Sequence, residues 1–143
     1  MVTIRPAVAT DAEALAALSG QLGYPVEPVA MVQRLAAVAN GDAGITLVAV
    51  DAQGAVCGMA RALPQHFIAE AAFVELAALV VDAAARGTGV GKALLAAVEA
   101  WARERGFPGL CVRSSVVRTR AHHFYLREGY AESKRQAVFF KPL

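Results

Sequence analysis

The 143-residue chain predicts a mixed α/β (α+β) fold with a partly antiparallel central sheet flanked by helices. Three observations carry this. Segments of strand-like and helix-like periodicity alternate along the chain. Two β-rich runs, residues 45–50 and 55–63, are joined by Asp51-Ala52-Gln53-Gly54 as in an antiparallel hairpin. The apolar run 73–81 leads through a glycine-rich turn into an amphipathic helix.

Each element has a local reason. Residues 2–5 form a first strand. Thr10 and Glu13 have capping-box spacing and open a helix with Leu15, Leu18 and Leu22 on one side, ending near residues 20–23. Pro28 suits the first turn of a second helix carrying Val32, Leu35, Ala36 and Val38, closed by Asn40-Gly41-Asp42. The hairpin follows, with Pro64 stopping its second strand. After the central strand 73–81, residues 93–105 continue a helix whose stripe is Val90, Leu94, Val98 and Trp101, with Gly106 at its end. Residues 110–117 form a strand, 118–127 a helix stopped by Gly129, and 130–134 and 137–141 two closing strands. The length suits one domain, residues 1–143.

Composition narrows the function. A net charge of +2, with cations neither gathered in a block nor interleaved with aromatics, gives nucleic-acid binding no support. Although 57% of residues are hydrophobic, no apolar run of membrane-spanning length and no signal-peptide pattern occurs, so a soluble, cytoplasmic protein with no membrane partner is expected. Cys57 and Cys111 lie far apart in apolar strands and are expected to be buried free thiols. No His, Cys and carboxylate cluster has metal-ligand spacing, and no metal is expected.

The run Arg86-Gly87-Thr88-Gly89-Val90-Gly91-Lys92 has the form of an anion cradle. Glycines let the backbone approach a phosphate, and the first free N–H groups of the following helix point at it. A tight strand-to-helix turn alone would also use these glycines, but the flanking cations favour the anion. The spacing excludes two familiar loops. In a dinucleotide G-x-G-x-x-G counted from Gly87, the last glycine slot holds Lys92. A nucleoside-triphosphate P-loop would need glycine at Arg86 and Ser or Thr at Ala93.

Leu79-Val80-Val81-Asp82 before this run, and Ala121-His122-His123-Phe124-Tyr125-Leu126-Arg127-Glu128-Gly129-Tyr130 after it, together resemble the two motifs of the GNAT family of acetyl-coenzyme A-dependent N-acetyltransferases. The first is similar to L-x-V-x-P-x-x-[QR]-G-x-G-x-G, with Ala83 in place of proline. The second is similar to A-x-x-F-Y-x-[KR]-x-G-[FY], with Arg118 where asparagine is frequent before it. The resemblance spans essentially the whole chain and implies the order β1-α1-α2-β2-β3-β4-α3-β5-α4-β6-β7.

It also implies acetyl-CoA as co-substrate. Backbone groups of Leu79, Val80 and Val81 would hold the pantetheine arm, and Arg86, Gly87, Thr88, Gly89, Val90, Gly91 and Lys92 the pyrophosphate. Arg118, with Arg127, is a candidate for the remaining phosphate. Leu79 and Val81 are at the same time expected core residues. Tyr125 matches the family tyrosine near the coenzyme sulfur, and a neutral phenol has a proton to give to the departing thiolate. Glu75, a carboxylate inside Phe73-Val74-Glu75-Leu76-Ala77, is costly there unless solvated, paired or used. It resembles the base glutamate of one branch of the family, while other members deprotonate through ordered water.

The expected reaction is acetyl transfer to a primary amine by direct attack in a ternary complex. Glu27, Glu70 and Glu75 suit a small cationic acceptor such as an aminoglycoside or polyamine. Residues 20–28, the loop 66–70 and the region of Gln136 would select it. A protein or peptide acceptor stays open, as does a non-catalytic acyl-CoA-binding sensor, and the resemblance leaves a homodimer open.

Overall fold

Residues 1–41 and 43–143 are described in a computed structural model; Asp42, expected to close the second helix, lies outside the described residues. The chain divides into two units, Met1–Arg113 and Ser114–Leu143. The first is built on β1 (Thr3–Pro6), β2 (Ile45–Val50), β3 (Val56–Gln65), β4 (Phe73–Val81) and β5 (Leu110–Val112), arranged β1-β2-β3-β4-β5. All neighbours are antiparallel except β4 and β5, which run parallel. Helices α1 (Ala12–Leu22), α2 (Pro28–Gly41) and α3 (Val90–Glu104) belong to the same unit, and α4 (Thr119–Arg127) to the second.

Strand register assigns the faces of the sheet. Val48 pairs with Met59 and Met59 with Val80, and these side chains pack with Leu15 and Leu18 of α1 and Met31 of α2. The alternate row faces α3. There Ala49 pairs with Gly58, and a Cβ on Gly58 would stand 3.0 Å from Leu94 Cδ1, 3.1 Å from Val90 Cγ1 and 3.2 Å from the Val80 carbonyl. The absence of a side chain at Gly58 therefore lets the first turns of α3 lie close on the sheet. The stripe expected on α3 is the buried one, with Val90, Leu94 and Val98 almost inaccessible and Trp101 nearly so. The helix begins three residues earlier than expected, at Val90.

Several expectations are corrected. Residues 130–134 and 137–141 form no strand, and β5 stops at Val112 rather than 117. A strand exists only with a partner ladder and a covered face, whereas Val138, Phe139 and Phe140 are about nine-tenths exposed. Pro64 does not stop β3, which continues to Gln65 opposite Phe73. Pairing with β2 has already ended at Ala62, so Pro64 lies where β3 has β4 on one side only, an edge position that proline tolerates. On α2 the inward residues are Met31, Leu35 and Val38, while Val32 and Ala36 face out. Leu79 and Val81 are only half-buried, and it is Val80 that enters the core.

The expected capping box at Thr10 and Glu13 is replaced by one centred on Asp11. A 3-10 turn (Ala9–Asp11) precedes α1, and Asp11 Oδ2 accepts the Val8 N–H at 2.8 Å while Asp11 N–H donates to the Val8 carbonyl at 2.9 Å. Arg5 on β1 closes a two-pronged contact with the same carboxylate, at 2.8 and 2.9 Å. Asp11 is buried, and the Arg5 hydrogen bonds hold its carboxyl below the usual range against the opposing effect of burial.

Two stability predictions follow from these contacts. Gly58→Ala should cost about 1–3 kcal/mol by overpacking, read as a lower urea midpoint at unchanged m-value. Asp11→Asn should cost about 1–3 kcal/mol at pH 7, the range kept low because the Arg5 side chain is 39% exposed. Because the folded pKa of Asp11 is depressed, its contribution is complete above the unfolded value near 3.9 and disappears as pH falls below it. Melting curves from pH 7 to pH 2 should show the gap between wild type and Asp11→Asn closing at the acid end.

Candidate functional site

The central feature of the first unit is the way β4 parts from its neighbours. Opposite β3, the register runs Arg61 to Ala78 and then Ala62 to Leu76, so Ala77 is an extra residue, a β-bulge. On the other side β5 accompanies β4 only from Val74 to Leu76. Among the described residues, β4 from Ala77 to Val81 has no strand neighbour on its β5 side, and that stretch is an open sheet edge leading toward the glycine run.

The bulge also decides which side chains share a face. Glu75 lies opposite Leu63, in the row of Met59 and Arg61, which on the other side of the bulge continues as Ala78 and Val80. Glu75 thus faces the α1 side of the sheet. Arg113 Nε donates to its Oε1 at 3.2 Å and Gln65 Nε2 to the same oxygen at 3.5 Å. Its side chain is 19% exposed. Of the conditions under which a carboxylate tolerates this strand, Glu75 meets two: it is ion-paired and partly solvated. Among the described residues, both of these donors meet Oε1. Thr46 and Arg61 extend the polar row, with Arg61 Nη1 3.5 Å from Thr46 Oγ1.

At the other end of the open edge, β4 passes through a 3-10 turn (Ala83–Ala85) into the glycine run. Gly87 and Gly89 have φ of +80° and +88°, and nothing lies within 4 Å of a Cβ built on either. Backbone conformation rather than crowding requires glycine at both. Gly89 caps α3, and the first helical bond runs from Ala93 N–H to the Gly89 carbonyl at 3.0 Å. The N–H groups of Val90, Gly91 and Lys92 precede that bond, so they and the positive end of the helix dipole are available to an anion. Arg86 folds back, its Nε donating to the Val81 carbonyl at 3.3 Å, with its terminal nitrogens left for a ligand. Thr88 Oγ donates to the Ala85 carbonyl. From Glu75 to Val81 the strand spans roughly 20 Å at the usual rise per residue, so this strand edge connects the polar cluster to the glycine run.

In the second unit, Tyr125 lies on α4 between Phe124 and Tyr130, with ring centroids 5.2 and 5.8 Å away. Burial pushes its hydroxyl up to about 12, and the nearby Arg118 charge opposes that rise. Arg118 is the N-cap residue of α4 and its carbonyl accepts the His122 N–H at 3.1 Å. Arg127 is engaged locally, with its guanidinium 5.7 Å from the centre of the Phe124 ring and Nε 3.9 Å from Glu128 Oε2. Cys57 is buried, which raises its thiol pKa and makes it a poor nucleophile; Cys111 on β5 is half-buried.

Sequence reasoning missed the Ala77 bulge and the two donors to Glu75. No glycine marks the bulge. Arg113 meets Glu75 only because β4 and β5 run parallel with Glu75 opposite Cys111, a register with no local signature.

The arrangement matches known proteins. The family model of the acetyltransferase (GNAT) family matches residues 12–130. An aminoglycoside N(6')-acetyltransferase type 1 of Stenotrophomonas maltophilia is 32% identical over 148 residues, covering 99% of this chain and 94% of the relative. Among solved structures, the aminoglycoside antibiotic 6'-N-acetyltransferase AAC(6')-Ih from Acinetobacter baumannii superposes with a TM-score of 0.86 at 18% identity, over 100% of this chain and 99% of that one. AAC(6')-Iy, in complex with the bisubstrate analog CoA-S-monomethyl-acetylneamine, does so with a TM-score of 0.86 at 22% identity, over 100% and 99% of the two chains. Among the described residues no helix is long and apolar enough to cross a membrane. The family match over residues 12–130 and the full-length relative, in a chain whose fourth strand runs into a glycine-rich turn ahead of α3, place the protein in the GNAT family of acetyl-CoA-dependent N-acetyltransferases.

Proposed function

We propose that the protein transfers the acetyl group of acetyl-CoA to a primary amine of a small cationic molecule, with aminoglycosides the first class to consider. The observation that carries this reading is the open edge of β4 between Glu75 and the glycine run. An extended arm bearing amides fits an unpaired strand edge, and a pyrophosphate fits the N–H groups ahead of the first α3 bond. The left-handed glycines, with no atom within 4 Å of their Cβ positions, leave room for that approach. The kinship with an aminoglycoside acetyltransferase along nearly the full chain supports the acceptor class.

In this reading acetyl-CoA brings a thioester whose carbonyl an amine can attack. Backbone groups of Leu79, Val80 and Val81 orient the arm. Arg86 and the N–H groups of residues 87–92 hold the phosphates, with Arg118 taking the remaining one. A free alkylamine is mostly protonated at pH 7, since its ordinary pKa is about 10.4. Glu75 is the group proposed to draw the cationic amine in and receive its proton, through Oε2 or a water held there.

Tyr125 is proposed to donate a hydrogen bond to the departing sulfur. Magnitudes decide how far that donation goes. A hydroxyl pushed up to about 12 facing a thiolate with a conjugate-acid pKa of about 8.5 would have to give up its proton against about 5 kcal/mol. Tyr125 therefore stabilises the departing thiolate by hydrogen bonding and keeps its own proton, as an oxyanion-hole donor does, and the thiolate takes the second proton that the attacking nitrogen sheds on becoming an amide.

Mixing acetyl-CoA with a panel of aminoglycosides, polyamines, amino acids and peptides while following thiol release, with thermal shift by coenzyme A alongside, tests the whole reading. Turnover of aminoglycosides or polyamines is the expected result, and turnover of peptides alone would assign a peptide acetyltransferase instead. Stabilisation by coenzyme A without turnover of any amine would favour the acyl-CoA sensor. Absence of both stabilisation and turnover would remove the coenzyme-binding reading.

The two side chains have separate signatures. Tyr125→Phe should lower kcat by about 10²-fold or more while coenzyme affinity is retained, and wild type should show no loss of rate from Tyr125 ionisation between pH 7 and 10. Glu75→Gln should lower kcat/KM by roughly 10²–10⁴; an unchanged pH–rate profile in that variant would take Glu75 out of the mechanism.

A further inference from the structure

The glycine run hangs from the end of β4 by the short turn Ala83–Ala85, and a residue from a distant part of the chain grips the top of that turn. Gln21, in the last turn of α1, donates from Nε2 to Asp82 Oδ1 at 3.0 Å and accepts from the Ala83 N–H through Oε1 at 2.9 Å. Both ends of one amide are used, with matching polarity, on two consecutive residues 61 and 62 positions away. Asp82 is pinned from other directions as well, its N–H donating to the Cys57 carbonyl and its carbonyl accepting the Ala85 N–H, both at 2.8 Å. Arg86 closes the turn by reaching back to the Val81 carbonyl.

Gln21 itself stands on a fixed platform. Leu15 and Leu18 of α1 are buried in the core, and the helix end is tied by Tyr24 N–H to the Ser19 carbonyl at 2.9 Å and Gly23 N–H to the Gly20 carbonyl at 3.1 Å. Gln21 is exposed and contributes nothing to the core. Its amide is thus spent on one thing, holding Asp82 and Ala83 against α1 at the point from which the chain departs toward Gly87.

We infer that Gln21 is a positioning residue for coenzyme binding: through Asp82 and Ala83 it sets where the N–H groups of the glycine run stand, and so the affinity for coenzyme A. The inference rests on the reading of the glycine run as the coenzyme's phosphate site. Hydrogen-bond polarity supplies a test that general stability does not mimic. Gln21→Glu keeps an acceptor for the Ala83 N–H but sets a carboxylate against Asp82. Asp82→Asn alone keeps an acceptor for Nε2. Combined with Gln21→Glu, the Asp82→Asn amide can donate to the new carboxylate and restore the grip.

Coenzyme A dissociation constants of the full chain, measured by isothermal titration with melting temperatures of the unliganded proteins beside them, read this out. Gln21→Glu is expected to weaken binding about tenfold or more and Gln21→Ala about fivefold, magnitudes in line with losing one or two hydrogen bonds. Asp82→Asn should stay near wild type, the double variant should recover most of the loss, and melting temperatures should hardly move. Equal coenzyme affinity in wild type, Gln21→Ala and Gln21→Glu would overturn the role of Gln21 while leaving the coenzyme site standing. Loss in Gln21→Glu that the double variant fails to recover would also overturn it. No binding by wild type would overturn the coenzyme reading itself.

Discussion

The separation of β4 from β5 after Leu76 is the constraint on which the rest of the molecule's chemistry depends. A strand in the middle of a sheet has its backbone groups consumed on both sides. Here the second neighbour leaves after three pairs, while the bulge at Ala77 shifts the alternation on the side of β3. One stretch of backbone is thereby released from structural duty without leaving the folded core, since Val80 within it remains buried. The same bulge places Glu75 in one row with Ala78 and Val80. Without it, Glu75 would share the face of Leu79 and look toward α3.

That open edge is useful only if the anion cradle at its end is held still. Three unlike contacts do this. The bare backbone at Gly58 seats Val90 and Leu94 close on the sheet, which fixes the first turn of α3 and the direction of its dipole. Arg86 ties the turn to the end of β4, and Gln21 ties it to α1. Packing sets the position of the helix and polar contacts set the position of the loop. The distinction matters because side-chain packing is insensitive to a small rotation of a surface turn, whereas a two-ended amide is not.

Charge is handled by pairing, filling one carboxylate completely and another on one oxygen. Asp11 has its carboxylate filled by Arg5 and the Val8 N–H, joining β1 to the start of α1. Glu75 has two donors, Arg113 and Gln65, on one oxygen. Tyr125, packed among aromatic rings, is kept neutral by burial, as the proposed hydrogen-bond donor to sulfur would require.

Much of this was legible along the chain. The amphipathic stripe of α3, the hairpin, the order of elements through α4, the glycine-rich turn into α3 and the two family motifs are all local patterns, and periodicity or steric demand makes local patterns readable. The failures share another cause. Residues 130–134 and 137–141 have strand composition but no ladder, Pro64 is tolerated only because β2 ends before it, and Thr10 yields to Asp11 because Arg5 on a different element supplies the partner. Likewise Arg113 and Gln65 find Glu75, and Gln21 finds Asp82, only once strands are in register and α1 lies on the sheet. By itself the sequence determined which segments would be helices and central strands and where glycine opens the turn into α3, since these follow from side-chain period and backbone freedom. Only the tertiary structure decided which edge stays open, which carboxylate is paired and what steadies the cradle, because each of those depends on a partner brought from far away in the chain.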